Sequence, residues 1–300
     1  MGQDLFDASS HFRALIELGS DLTHEDLMVL CLRGPEKKLR KSFFLQPILV
    51  AVSLGYRERL VEQGIVADAV LGHSLGEITA LAAASVVSDY EAVTMAAKRG
   101  DLMDEAASIC TGGMLAVLSV PSQTIRELLT EIGEPDRIAI ANENALDQVV
   151  VSGAEELLQK LTDLVAERQL GRCKTLAVSG PWHSPFMSVA RVKFEHWIQM
   201  VSFRPPQIPL ILNATGAPEN DPNRIRHLIS QQLTSPVLWH DCMNTLKQMD
   251  VGVLLEVGPG RVLSGLARVN GFGGTTRIFN INNLRGLTHY REEMRQPGKE

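Results

Sequence analysis

The chain has 300 residues, 45% of them apolar and 21% charged, which suits a globular protein with a large core. That length holds one large domain, alone or carrying a smaller one. With 35 acidic against 29 basic side chains the formal net charge is -6; no nucleic acid is expected as a partner, since phosphate binding calls for a basic surface. Cys31, Cys110, Cys173 and Cys242 lie far apart with no C-x-x-C pair, so they read as free thiols, not as a disulfide or metal framework. The start, MGQDLFDASSHF, has neither the basic segment nor the apolar run of a signal peptide. The apolar stretches at 48–54 and 78–87 are too short or too interrupted to span a bilayer. A cytoplasmic chain with no membrane contact is expected.

In chain order, residues 46–64 predict an amphipathic helix and 67–71 a short buried strand. A tight turn at 72–76 leads into an Ala-rich helix ending near Val87, and 89–107 predict another helix with Arg99 at its middle. Residues 111–178 then change rhythm: strand (114–120), helix (122–132), strands (137–141 and 148–152), helix (154–168), strand (174–178). This βαββαβ order is the pattern of a ferredoxin-like unit, here expected as an inserted subdomain. After His183 come a helix, a strand at 208–213, a helix at 223–233, a strand at 253–257, a helix at 261–269 and a last strand at 277–281. The expected fold is α/β: a hydrolase-like core with a mostly parallel sheet, formed by 1–110 and 179–290, plus the 111–178 insertion. Residues 291–300 are expected to be a disordered tail, with low complexity confined to RQPGKE.

The strongest local signal is LGHSLGE, which centres Ser74 in a G-x-S-x-G frame. Such a string occurs by chance, but a strand before it and a small-residue helix after it are the context of a nucleophile turn. A serine on a sharp strand-to-helix turn projects its hydroxyl, and flanking glycines relieve the crowding. The helix N-terminus aims backbone N–H groups, including that of Leu75, at the oxygen of an attacked carbonyl.

A serine needs a base, usually histidine. Of the eight histidines, His73 adjoins the nucleophile but points awkwardly along the turn. His183, in VSGPWHSPFM at the end of an expected strand, is the better choice, since catalytic groups of α/β folds collect at strand ends. The glycine-rich EVGPG at 256–260 lacks the G-x-x-x-x-G-K-[ST] frame and reads as a structural turn, not a phosphate loop.

GHSLGE, the helix with KRG, SGPWHS, QLTSPVLW and EVGPGRVL occur in that order. Together they resemble the malonyl-CoA:acyl carrier protein transacylase family, which includes the acyltransferase domains of polyketide synthases, over nearly the whole chain. The resemblance implies that Ser74 carries the acyl group and His183 is its base. It also implies that the backbone carbonyl of Gln232, not an acid, orients the histidine, and that Arg99 pairs with the free carboxylate of a malonyl-type group. Gln46 and His73 would line the substrate site, as would Asn144, read here as part of a loop. The partners implied are a coenzyme A thioester and an acyl carrier protein, with malonyl-CoA as a substrate and no cofactor.

The family opens with a strand and an F-P-G-Q-G-S-Q stretch whose last Gln gives an oxyanion-hole N–H. This sequence begins at a segment resembling the helix that follows, so that strand and loop are expected to be missing, through a mis-assigned start or a truncation in preference to a natural loss. Two other readings stay open: an acyl hydrolase or esterase on the same Ser–His pair, and a non-catalytic subunit of a synthase complex. Arg99 weighs against a general esterase, which has no use for a carboxylate clamp.

Overall fold

The computed structural model describes residues 1–295. Two helices of twenty residues, Ser42–Val61 and Asp89–Ser108, pack together at its centre. Their approach depends on Gly100: a Cβ there would lie 2.3 Å from the Ser42 carbonyl oxygen, a distance no side chain tolerates. The same crossing lets the Asp104 carboxylate accept from the Ser42 and Phe43 N–H groups at 3.1 and 3.0 Å. An acidic group capping free N–H donors stabilises a helix start. The first helix therefore begins at Ser42, earlier than the expected residue 46. Asp89–Ser108 opens with a capping box, in which the Ser88 hydroxyl accepts from the Glu91 N–H and the Glu91 carboxylate accepts from the Ser88 N–H. Phe12, Leu15, Ile48, Leu54, Leu81 and Val93 belong to the apolar core around this pair.

Residues 112–175 form a four-stranded antiparallel sheet from β1 (Gly112–Leu118), β2 (Ile138–Ala145), β3 (Gln148–Ala154) and β4 (Arg172–Thr175), in the order β2-β3-β1-β4. Helices Ser122–Ile132 and Glu155–Glu167 bury their apolar stripes against it: Ile125, Leu128, Leu161 and Val165 meet Leu115, Val117, Val149 and Val151. β2 is irregular, with register shifts between Ile140 and Asn142 and between Glu143 and Ala145. Bulges of this kind re-aim a strand, and here β2 also bonds a distant segment. Val237 N–H donates to the Ala141 carbonyl and Glu143 N–H to the Val237 carbonyl, both at 2.9 Å.

The remaining strands, β5 (Val253–Val257) and β6 (Arg277–Ile281), pair in parallel. The expected strands at 67–71 and 208–213 meet only at a Val70–Leu210 bridge, through Val70 N–H to the Pro209 carbonyl (2.9 Å) and Ile211 N–H to the Val70 carbonyl (3.1 Å). Pro209 has no N–H to give; the Leu210 carbonyl accepts from the Glu219 N–H, the Leu212 N–H donates to the Ala217 carbonyl, and the Leu212 carbonyl accepts from the Gly216 N–H. The fold is α/β; among the described residues, continuous parallel pairing is confined to β5 and β6, and the Val70–Leu210 bridge is parallel too. The expected tail is corrected in part. Residues 291–295 complete the Leu284–Arg295 helix, held by a 3.0 Å Arg277–Glu293 ion pair, and Tyr290 meets Phe279 edge-on at 5.1 Å. Residues 296–300 lie outside the described residues. Among those described, no helix is long and apolar enough to cross a membrane, and no cluster of His, Cys, Asp or Glu is placed to hold a metal.

Candidate active site

Ser74 occupies the turn before helix Leu75–Ala83 with φ 51° and ψ −108°, a strained combination for a residue with a side chain. The turn is tight because Gly72 has no Cβ: one there would lie 2.0 Å from the Gly76 carbonyl group. Gly76 is different, since a Cβ there would meet nothing within 4 Å, and its bareness leaves open space on the turn. Asn213 clamps both arms of the bend. Its Oδ1 accepts from the Ser74 N–H at 2.8 Å and its Nδ2 donates to the Gly72 carbonyl at 2.7 Å. The hydroxyl is thus held where the chain would not hold it unaided.

His183, only 3% exposed and itself at φ 56°, brings Nε2 to 2.7 Å from Ser74 Oγ. Its other nitrogen, Nδ1, lies 2.8 Å from the Gln232 backbone carbonyl. A carbonyl only accepts, so Nδ1 carries the proton and the Nε2 lone pair faces the serine hydroxyl. Burial, then the nearby Arg99 charge, pushes the imidazole down to about 3; it is neutral at physiological pH and free to take a proton.

Arg99 is 1% exposed. Nη1 donates to Gln46 Oε1 at 2.9 Å, and Nη2 donates to Gln232 Oε1 at 2.8 Å and to Ser74 Oγ at 3.2 Å. All three acceptors are neutral, and Nε finds none at all. Burial lowers the guanidinium to about 10, with the Glu77 charge opposing the shift. It therefore stays charged at neutral pH. A buried cation held only by neutral oxygens, with its Nε unused, has the chemistry to receive an anion beside the Ser74 hydroxyl.

The other expected site residues fall around this centre. Gln46 touches Arg99 and sets its Nε2 3.4 Å from Met103 Sδ. His73 Nε2 lies 2.8 Å from Asn144 Oδ1, and its ring packs at 5.2 Å on Trp239; burial lowers its basicity. Asn144 is on β2, not in a loop as expected, and its backbone carbonyl accepts from Asn270 Nδ2 at 2.8 Å. The Leu75 N–H meets no acceptor among the described residues. EVGPG is a turn in which the Glu256 carboxylate caps helix Val262–Val269, accepting from the Leu263 and Ser264 N–H groups at 3.0 and 2.8 Å.

Sequence reasoning missed three participants. Asn213 stood at the end of an expected strand, where functional groups gather. Glu77 stood three residues after Ser74, a capping spacing, but its partners are distant: the Asn213 N–H at 2.6 Å and Gln232 Nε2. The Gln232 side chain had no signal, since only its backbone was implicated.

A family model described as an acyl transferase domain matches residues 1–268. The chain belongs to the acyl transferase family. A malonyl CoA-acyl carrier protein transacylase of Bacillus subtilis (strain 168) is 30% identical over 269 residues, covering 89% of this chain and 85% of the relative. Among solved structures, a malonyl CoA-acyl carrier protein transacylase from Clostridium perfringens superposes with a TM-score of 0.91 at 27% identity, over 98% of this chain and 92% of that one. A malonyl-transacylase in complex with its type II polyketide synthase acyl carrier protein gives 0.90 at 31% identity, over 97% and 94%. The Ser74–His183 pair therefore sits in a member of the acyl transferase family.

Proposed function

We propose that this acyl transferase moves a malonyl group from coenzyme A to the phosphopantetheine thiol of an acyl carrier protein, through an ester on Ser74. The observation that carries this reading is the buried guanidinium of Arg99, with neutral acceptors only, one hydrogen-bond length from the nucleophile. In a malonyl thioester the carboxyl carbon lies about 2.5 Å from the carbonyl carbon, two single bonds away. A nucleophile attacking the second carbon therefore leaves the carboxylate beside Nη2. Acetyl has nothing to put there, and succinyl carries its carboxylate one carbon further.

His183 takes the Ser74 proton on Nε2 as Oγ attacks the thioester carbon. The Oγ–C bond forms, the C–S bond breaks, and the proton leaves with the coenzyme A thiolate. The carrier thiol reverses the sequence, giving its proton to His183 and displacing Ser74. The Gln232 carbonyl holds the tautomer throughout. The Leu75 N–H, at a helix N-terminus, stabilises the oxyanion. Gln46 keeps Arg99 in place, while His73 and Asn144 shape the adjoining wall. No step needs a cofactor. The free thiols suit a reducing cytoplasm. We read 111–178 as a ferredoxin-like subdomain inserted between 1–110 and 179–290, with the site in the cleft between the two units.

Intact-protein mass spectrometry after mixing with malonyl-CoA tests this. A malonyl-sized adduct that is absent from Ser74→Ala and weak with acetyl-CoA is the expected result. No adduct on the wild-type chain would refute it.

A further inference from the structure

The geometry points to Glu77 as a positioning residue that sets malonyl preference by fixing which way the Gln232 side-chain amide faces. This rests on the reading of Arg99 as the carboxylate clamp. Gln232 is 1% exposed and spans three groups. Its Oε1 accepts from Arg99 Nη2 at 2.8 Å, while its Nε2 donates to the Ser74 carbonyl at 2.9 Å and to the Glu77 carboxylate. An amide can turn over, exchanging oxygen and nitrogen at almost no steric cost. Here the two ends of the slot decide. Guanidinium only donates, while the Ser74 carbonyl and an ionised carboxylate only accept, so one orientation of the amide satisfies all three.

Glu77 is itself committed. It is 1% exposed, and its second oxygen accepts from the Asn213 N–H at 2.6 Å. Asn213 in turn clamps the nucleophile turn. One buried acid thus ties the Ser74 bend to the Arg99 fork through a single amide. The Gln232 backbone orients His183, so the same residue serves base and clamp with different atoms. With a glutamine at position 77 whose oxygen stays on the Asn213 N–H, its NH2 meets Gln232 Nε2 donor against donor; the Gln232 amide, still held by the Ser74 carbonyl, is pushed out of line and carries Oε1 off Arg99 Nη2. Arg99 then swings off its line to the nucleophile.

The test compares Ser74 acylation rates by malonyl-CoA and acetyl-CoA in Glu77→Gln, Gln232→Glu and Arg99→Met, each beside its thermal midpoint. Misplacing a reacting group by about 1 Å costs on the order of 10²-fold, so Glu77→Gln should lose malonyl acylation by about that factor and acetyl acylation much less. Gln232→Glu places an acceptor-only group against both Arg99 and Glu77, and should likewise collapse the malonyl-to-acetyl ratio; it decides the matter if Glu77→Gln does not fold. Equal losses for both substrates in Glu77→Gln would reduce Glu77 to a packing residue and overturn the inference. So would an unchanged ratio in Glu77→Gln or Gln232→Glu while Arg99→Met loses its preference. A preference that survives in Arg99→Met would instead refute the clamp.

Discussion

Replacing Arg99 by methionine keeps an unbranched side chain in the slot between Gln46 and Gln232 and removes the charge. In the free enzyme the guanidinium gives its hydrogen bonds to Gln46, Gln232 and Ser74, all neutral. When a substrate carboxylate arrives, neutral acceptors are exchanged for a charged one in a site that burial has already stripped of water. Truncating one partner of such a buried, hydrogen-bonded charge pair costs about 2–5 kcal/mol. At about 1.36 kcal/mol per tenfold, that is a loss of roughly 30- to 5,000-fold in malonyl kcat/KM. Acetyl transfer has no such contact to lose. The assay is paired: Ser74 acylation from malonyl-CoA and from acetyl-CoA, under one set of conditions, with the ratio as readout. A ratio equal to that of the wild type would refute the reasoning, since the cation would then play no part in recognising the acyl group.

The Ser74 turn and the helix crossing beneath it respond differently to small additions. Gly100→Ala drives a Cβ to within 2.3 Å of the Ser42 carbonyl oxygen and should destabilise the protein by about 1–3 kcal/mol, read as a lowered thermal midpoint; an unchanged midpoint would sink the account of that crossing. Gly76→Ala adds a methyl that meets nothing within 4 Å, so its unfolding free energy should stay within about 0.5 kcal/mol of the wild type, the usual range for a substitution away from packed groups. Burial raises Glu77 to about 7; it is a carboxylate above that pH and neutral below it. The groups coupled to it electrostatically are Arg99 and Cys242; burial lowers both His73 and His183, the latter to about 3. The malonyl-to-acetyl ratio should therefore fall as pH drops through about 7, with no step from His183 before about 3. A ratio flat between pH 5.5 and 8.5 would contradict this.

What could be read from the chain was what is local. The Ser74 turn is written in seven consecutive letters, because its steric demands fall on immediate neighbours. The Asp89–Ser108 helix was legible for the same reason: Ser88 and Glu91 lie within one turn of each other. The start at Ser42 was not, since its cap is Asp104, 62 residues along the sequence. The apolar runs at 67–71 and 208–213 look like strands by composition. Whether they pair is decided by the missing N–H of Pro209 and by the way 210–212 spend their backbone groups elsewhere. Within the site, His183 could be chosen by type and position, whereas Glu77 and the Gln232 amide could not. Their meeting spans 155 residues, and nothing in either neighbourhood announces it. Asn144 shows the intermediate case, in which residue and partner were anticipated as neighbours but the bulged strand that brings them together was not.

The strand β2 belongs to two assemblies at once: it pairs with β3 on one side and trades two backbone hydrogen bonds with Val237 on the other. Val237 lies five residues after Gln232, on the same stretch that presents a carbonyl to His183. The antiparallel unit is consequently not a cassette that can be lifted out of one family member and dropped into another at its chain boundaries. A transplant of residues 111–178 alone would meet a foreign segment at 237 and transmit any misfit to the base. Chimeras intended to trade acyl specificity between relatives should carry residues 232–239 along with the antiparallel sheet, so that β2 keeps its own partner at Val237 and the hydrogen bonds beside the histidine stay intact.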